Sequence, residues 1–397
     1  MLSGKTVLDL SWILGGPFGG QLLAQLGAEV IKIEPIGGDF ARTVPPVSDD
    51  EDSAFFLSVN RGKKSIALDL KHPDGREAFY DLVRRADAVI YGFAPDVPGR
   101  LKIDYASLAA INPRISVAQL IGLDDKGKYA KAPAFDLVVQ AMSGLMSING
   151  EENGRPTRVG YQVADLAGGL YLALGALAAM LKAETTGQGE HVQVSLLDCQ
   201  IAMLTWQAQG YLSFGTVPRA MGSRHAMIAP SEAYPAGDGR YIAISPTGES
   251  FWRKFCEAIG RPDLPDDQRF GTATERMKNV DALAEEITET LRTKTAREWE
   301  AILMEARVPA AVVNRVDEAL ATPVVRERGM VEEVVRPADG KATALIGSPF
   351  KFRDAPILAY PPALAADTAT VLMQRCGYSH ERIEALASVG AIQLAAE

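Results

Sequence analysis

A chain of 397 residues with 47% hydrophobic and 23% charged residues has room for roughly two or three domains and is too apolar to be disordered throughout. Its formal net charge of −9 argues against a general nucleic-acid binder, though not against local capture of a small anion. The 3 cysteines, Cys199, Cys256 and Cys376, make no CxxC pair and no zinc pattern, which points to a reducing, cytoplasmic setting.

The N-terminal MLSGKTVLDLSW has no long apolar run and no small-residue cleavage site, so no secretory leader is expected. Val7 to Leu10 is a short apolar run of strand type. SWILGGPFGG then reads as a glycine-rich loop, QLLAQLG as a helix closed by Gly27, and AEVIKIEP as a β-branched strand ended by Pro35. This is a βαβ unit, whose natural product is a parallel sheet. The alternation continues with KKSIALDL (strand), HPDGREAFYDLVRRA (helix, with Phe79, Leu82 and Val83 on one face), DAVIYGF (strand), IDYASLAAI (helix) and RISVAQLIGL (strand). Such a series predicts a doubly wound, Rossmann-like α/β domain with helices on both faces of the sheet.

A helical region over Ala164–Ala183 follows, then the strand EHVQVSLLD and a helix through Trp206. The uncharged stretch Leu166–Leu181 is shorter than the ~20 residues of a membrane span, so it reads as a buried helix and no membrane is expected. After about Gly210 the composition turns rich in Gly and Pro, with a turn signal at Asp238–Gly239. Helical patterns return in FWRKFCEAIG and VDALAEEITETLRTK, and Thr295 with Glu298 forms a capping box for AREWEAILMEA. The reading assigns 1–210 to a large α/β domain, 225–325 to a smaller inserted α+β domain, and 330–397 to a return to the first, ending in one helix.

The obvious motifs fail in detail. The glycines of GGPFGG stand at 15, 16, 19 and 20, which is not GxGxxG, and Pro17 removes an N–H from the turn that would cradle a pyrophosphate. Glu34 at the end of the second strand is the one feature that suits a ribose-binding acid. GLDDKGKY (122–129) lacks the Ser or Thr of a P-loop and reads as a solvated loop. There is no GxSxG and no HExxH, and the histidines 72, 191, 225 and 380 are scattered, so no metal site is expected. Asp165, at the start of the apolar helix, reads as an N-cap or as a carboxylate nucleophile favoured by the helix N-terminus. Arg61, Lys63, Lys64, Lys71 and Arg100 lie near strand ends and read either as a solvated face or as phosphate ligands.

Several long segments, LSGKTVLDLSWILGGPFGGQLLAQLGAEVIKIEPIGGD, FFLSVNRGKKSIALDLKHPDGREAF, FDLVVQAMSGLMSINGEENGRPTRVGYQVADLAGGLYLALGALAAM and GQGEHVQVSLLD, together resemble the family III CoA-transferases, the CaiB/BaiF-like group of formyl-CoA and carnitine CoA-transferases. The resemblance implies transfer of coenzyme A from an acyl-CoA to a carboxylic acid, with no metal, through an anhydride and a thioester on Asp165. It further implies a homodimer of interlocked subunits, acting on small molecules. It implies CoA contacts at Ile13, Leu14, Leu68, Lys71, Phe93 and Arg100, and acyl-pocket positions at Gln140, Arg224, His225 and Gly248. Oxyanion donors would come from backbone near Gly168 or from 245–249. Arg224 and His225 suit the distal carboxylate of a dicarboxylate. The chain departs from the family pattern at Pro35, often Arg in relatives, at GLDDKGKY, and at ISPTGES, which keeps only Gly248 of a glycine-rich loop. Three alternatives stay beside this one. One is an isomerase moving CoA within one dicarboxylate. The others are a 2-methylacyl-CoA racemase, for which Phe135 stands where the base should be, and a CoA-binding protein without activity.

Overall fold

The computed structural model describes residues 1–48 and 53–395. In chain order the strands are β1 (Thr6–Asp9), β2 (Glu29–Glu34), β3 (Lys64–Leu68), β4 (Ala88–Tyr91), β5 (Ser116–Ile121), β6 (His191–Ser195), β7 (Glu232–Pro235), β8 (Tyr241–Ile244), β9 (Ala310–Val312), β10 (Val331–Val335), β11 (Ala342–Ile346) and β12 (Ile392–Gln393). The chain divides into two compact units, one of 1–145, 158–217 and 327–397, the other of 146–157 and 218–326.

The first unit is built on a 7-stranded sheet in the order β12-β3-β2-β1-β4-β5-β6. Its pairings are parallel except at β12, which runs antiparallel to β3. The strands are near-continuous apolar runs because both sheet faces are covered. Alternate side chains leave for opposite cores. Leu8, Ile31, Ile66 and Val89 join Phe79, Leu82, Val371 and Leu372 on one face. Val7, Val30, Ile90 and Ala118 join Leu22, Leu23, Leu172 and Ala176 on the other. The mixed α/β fold with a large parallel sheet is the one the alternation predicts.

Two local expectations are corrected. SWILGGPFGG is not a loop throughout: a helix already begins at Gly15 and runs to Gln25. Pro17 falls in its first turn, where a missing N–H costs nothing. The tail also holds two helices rather than one, Thr368–Cys376 and His380–Ser388, broken at Gly377 with φ 72°. The tail is stitched to β3: Asp367 accepts the Ser65 N–H at 2.9 Å and Thr368 Oγ1 accepts the Ala67 N–H at 3.1 Å.

The second unit carries the antiparallel sheet β7-β8-β9. Its core is Trp252, Phe255, Ile287, Leu291 and Trp299. The turn at Asp238–Gly239 joins β7 to β8, with Gly239 at φ 78°, and the Thr295–Glu298 capping box is present. Residues 146–157, placed by the sequence with the large domain, belong to this unit. The Gly150 carbonyl accepts the Gly222 N–H at 2.9 Å, and Glu152 pairs with Arg219 at 3.6 Å.

Candidate functional site: a groove at the sheet's switch point and a buried aspartate pair

Strand order reverses at β1, which has β2 on one side and β4 on the other. In open α/β sheets the crevice beyond the carboxyl ends at such a point is where ligands bind. A groove of about 670 Å³ lies there, lined by the ends of β1 (Leu10, Trp12, Ile13), β2 (Ile33, Pro35), β3 (Leu68, Lys71) and β4 (Phe93), with Val97 and Leu101 beside it. Leu68, Lys71, Phe93 and Ile13, spread over some eighty positions of sequence, thus meet on one surface.

Two other expected contacts do not line it. Leu14 is buried and forms the N-cap of the helix Gly15–Gln25. Arg100 projects from the short helix Val97–Leu101 with its side chain 70% exposed, 3.3 Å from Asp96. Trp12 was missed by sequence reasoning. It is 44% exposed and meets Phe93 edge-on, with ring centroids 6.3 Å apart. An indole directly after a strand at the switch point is the signal that could have found it.

The cations near the strand ends separate by partner. Arg61 is held by Glu332 at 2.6 Å and Lys64 by Glu29 at 2.7 Å. Lys63 is fully buried against Asp9 at 2.8 Å, and burial lowers its ammonium to about 8 despite that carboxylate. Lys71 has no ion pair among the described residues. Glu34 is buried and accepts from Arg42 at 2.7 and 2.8 Å, Ser65 Oγ at 2.6 Å and the Asp39 N–H at 3.0 Å. Burial alone would push its carboxyl up, but Arg42, Lys32 and Ser65 outweigh it and hold it below the usual range. No lone pair is left for a ribose, so the nucleotide motif suggested by Glu34 is spent inside the protein.

The spacing of GGPFGG acquires a reason here. Positions four apart share a helix face. A methyl group on Gly15 or Gly19 would come within 2.8 Å of the Asp165 carbonyl or 2.9 Å of the Gly169 carbonyl, both in the long helix Val163–Thr186. On the other face, a methyl on Gly16 would lie 2.2 Å from Ser11 Cβ, and one on Gly20 2.4 Å from the Asp9 carboxylate. Gly169 answers from the long helix, where a methyl would sit 2.4 Å from the Gly15 carbonyl. The glycines bring the first helix into backbone contact with the turn that carries Asp165.

Asp165 is not the N-cap of that helix. Gln162 occupies the cap without a side-chain bond, and Asp165 stands in the first turn. Capping comes from Asp136, whose Oδ1 accepts the Ala164 N–H at 2.8 Å and whose Oδ2 accepts from Gln140 Nε2 at 2.6 Å. Gln140 Oε1 accepts the Val159 N–H at 2.9 Å, so this fully buried amide is committed at both ends and braces the approach to the helix rather than lining an acyl pocket. Freed from capping, the half-buried Asp165 carboxylate accepts no hydrogen bond from the described residues. Burial, reinforced by the Asp136 charge, raises its carboxyl to about 7. Gly168 lies inside the helix against Leu120 and Leu196, with its N–H in the helical ladder, so it offers no oxyanion donor. Phe135, 76% exposed, precedes Asp136 and supplies no second base.

The remaining candidates lie in the second unit. Arg224 donates to Glu232 at 3.1 Å and to Asp281 at 2.8 Å, so it is engaged internally rather than held ready for a substrate carboxylate. His225 Nδ1 accepts the Met227 N–H at 3.1 Å, which leaves the proton of a neutral ring on Nε2. Gly248 is the exposed N-cap of the helix Glu249–Ala258, at φ 92°, a conformation that suits glycine.

Known proteins agree with this architecture. The pattern of CoA-transferase family III matches residues 2–368. The chain is 39% identical to the acetyl-CoA:oxalate CoA-transferase of Acetobacter aceti, over 83% of this chain and 84% of that one. It is 37% identical to the succinate–glutarate CoA-transferase of Agrobacterium fabrum, again over 83% and 84%. A CAIB/BAIF family protein from Brucella suis superposes with a TM-score of 0.84 at 33% identity, covering 94% of this chain and 99% of its own. The resemblance carried by the N-terminal segments is therefore borne out, and the chain belongs to CoA-transferase family III.

Proposed function

We propose that this enzyme transfers coenzyme A from an acyl-CoA to a dicarboxylic acid, with Asp165 as the nucleophile. The observation that carries the reading is an aspartate in a helix first turn, relieved of capping by Asp136 and left without a cation or hydrogen bond among the described residues. The dicarboxylate is supported by the relatives named for oxalate and for succinate and glutarate.

The steps balance without an external acid or metal. The Asp165 carboxylate attacks the thioester carbonyl, and the CoA thiolate leaves a mixed anhydride. The thiolate then attacks the aspartyl carbonyl, releasing the donor carboxylate and forming an aspartyl-CoA thioester. The acceptor carboxylate attacks that carbonyl and expels the thiolate, which takes the acceptor acyl group and restores Asp165. With its carboxyl raised to about 7, Asp165 is not fully ionised at neutral pH in the free enzyme, so its charge must be gained before the first attack.

The nucleotide part of CoA is assigned to the groove at β1–β4, with Lys71 toward its phosphates. A homodimer is supported by the apolar surface of Leu170, Tyr171 and Leu174, half or more exposed except for Tyr171, which borders a groove of about 600 Å³ with Met203 and Phe350. A cytoplasmic setting suits the free cysteines.

Asp165→Asn tests the nucleophile. Turnover should fall by a factor on the order of 10³ or more while CoA binding and folding persist. Acyl-CoA followed by hydroxylamine should place a hydroxamate on Asp165, read by peptide mass spectrometry. Near-normal turnover in the variant with no label on Asp165 would leave a CoA-binding fold without this mechanism.

A further inference from the structure

Beneath the groove lies a set of buried charges that the reaction does not use. Lys32 and Asp39 form an ion pair at 2.8 Å with both side chains 0% exposed. Such a pair is weak evidence for stability, because the desolvation of two ions consumes most of the Coulombic gain. What the pair holds is a turn. Lys32 Nζ donates to the Ser11 carbonyl at 2.9 Å, and Asp39 Oδ1 accepts the Ile13 N–H at 3.3 Å. Asp9, itself paired with Lys63, accepts the Ser11 N–H at 2.9 Å and the Ser11 hydroxyl. The polar backbone groups on either side of Trp12 are thus gripped by buried charged side chains.

The grip has something to restrain. Ile13 sits at φ 66°, a left-handed conformation that a β-branched residue adopts only when its surroundings over-determine it. Between the clamped residues, Trp12 stands 44% exposed on the groove wall, edge-on to Phe93. A side chain with so much apolar area is kept on the groove wall by the clamped backbone, with Phe93 as its ring contact.

We propose that Trp12 is the aromatic contact for the nucleotide base of CoA, and that Lys32 and Asp39 are positioning residues that fix the Ser11–Ile13 turn and so aim the indole into the groove. This rests on the assignment of the groove to CoA. It predicts that the buried pair governs CoA affinity through Trp12 and not the chemical step.

A double-mutant cycle on the full-length protein tests it, with free CoA titrated calorimetrically. Trp12→Ala should weaken CoA about tenfold, as expected for a base–aromatic contact. Lys32→Met combined with Asp39→Leu removes both charges together, so no unpaired charge is left buried. That variant should also bind CoA about tenfold more weakly, with kcat at saturating substrate within about twofold of wild type. In the Trp12→Ala background the same pair change should cost less than about twofold, because residues acting through one another are not additive. If the pair variant unfolds, Asp39→Asn, which keeps an oxygen for the Ile13 N–H, enters the cycle with the same expectation of coupling to Trp12. A folded pair variant with wild-type CoA affinity, or one whose loss persists in full without Trp12, overturns the positioning role. CoA that binds Trp12→Ala unchanged overturns the Trp12 contact, whereas CoA that fails to bind the wild type, or binds Trp12→Ala and Lys71→Ala both unchanged, removes the groove assignment beneath it.

Discussion

Two buried carboxylate centres in the first unit have opposite electrostatics. Under the groove, Asp9 meets Lys63 and Asp39 meets Lys32, each at 2.8 Å and fully enclosed. At the long helix, Asp165 has Asp136 as its charged neighbour, and burial together with that like charge lifts it to about 7. The first centre neutralises its carboxylates and uses them to hold backbone. The second leaves one carboxylate without an ion pair or hydrogen bond among the described residues. The difference teaches how to sort buried acids by role: a carboxylate already given a cation and donors has its charge committed to the protein, whereas one desolvated beside its own kind is poised to react.

The largest effect expected from this comparison is on stability. Lys63→Met strands the Asp9 carboxylate in a dry site and should cost about 3–5 kcal/mol, read as a lowered urea midpoint. Asp165→Asn should instead leave stability unchanged or raise it above neutral pH. The sign follows from linkage. A carboxyl raised from 3.8 to about 7 on folding binds more protons in the native state across that window, so its ionisation erodes wild-type stability as pH rises from about 4 to about 7. The Asn variant lacks this slope. A wild type whose urea stability relative to Asp165→Asn does not change between pH 4 and 8 would contradict the unneutralised centre.

A kinetic effect comes next. With Asp165 required as the anion, kcat/KM for the donor should fall about tenfold at pH 6 relative to its plateau. Asp136→Asn should carry that limb to lower pH, though only part of the way to an ordinary aspartate, because burial is the larger cause. A limb that stays in place in a folded Asp136→Asn protein would show that the like charge contributes nothing. The smallest effect concerns the exposed Asp96–Arg100 pair. Solvent screening makes such pairs weak, and Arg100 lies outside the groove lining, so Arg100→Ala should weaken CoA less than about fivefold. Lys71→Ala should weaken it more, and the reverse order in a calorimetric titration would put the phosphates elsewhere.

Much of the molecule was legible in the linear chain. Apolar runs of strand length alternating with helical patterns dictate a parallel sheet covered on both faces, because only crossover helices connect parallel neighbours. Capping chemistry is equally local, and Thr295 with Glu298 shows it. The family resemblance came from long ordered segments and marked Asp165 by position. Other features were set by contacts between residues remote in sequence. Whether Asp165 caps its helix was decided by Asp136, which arrives from another helix to take the Ala164 N–H. Which cations could meet a phosphate was decided by the carboxylates that engage Arg61, Lys63 and Lys64 and leave Lys71 without an ion pair among the described residues. GGPFGG resembles a failed nucleotide loop until the long helix and the Asp9 carboxylate lie against its two faces. Period and propensity act within a few residues and are written in the chain, but the charge state and availability of a side chain depend on what packs against it, and only the tertiary structure supplies that neighbour.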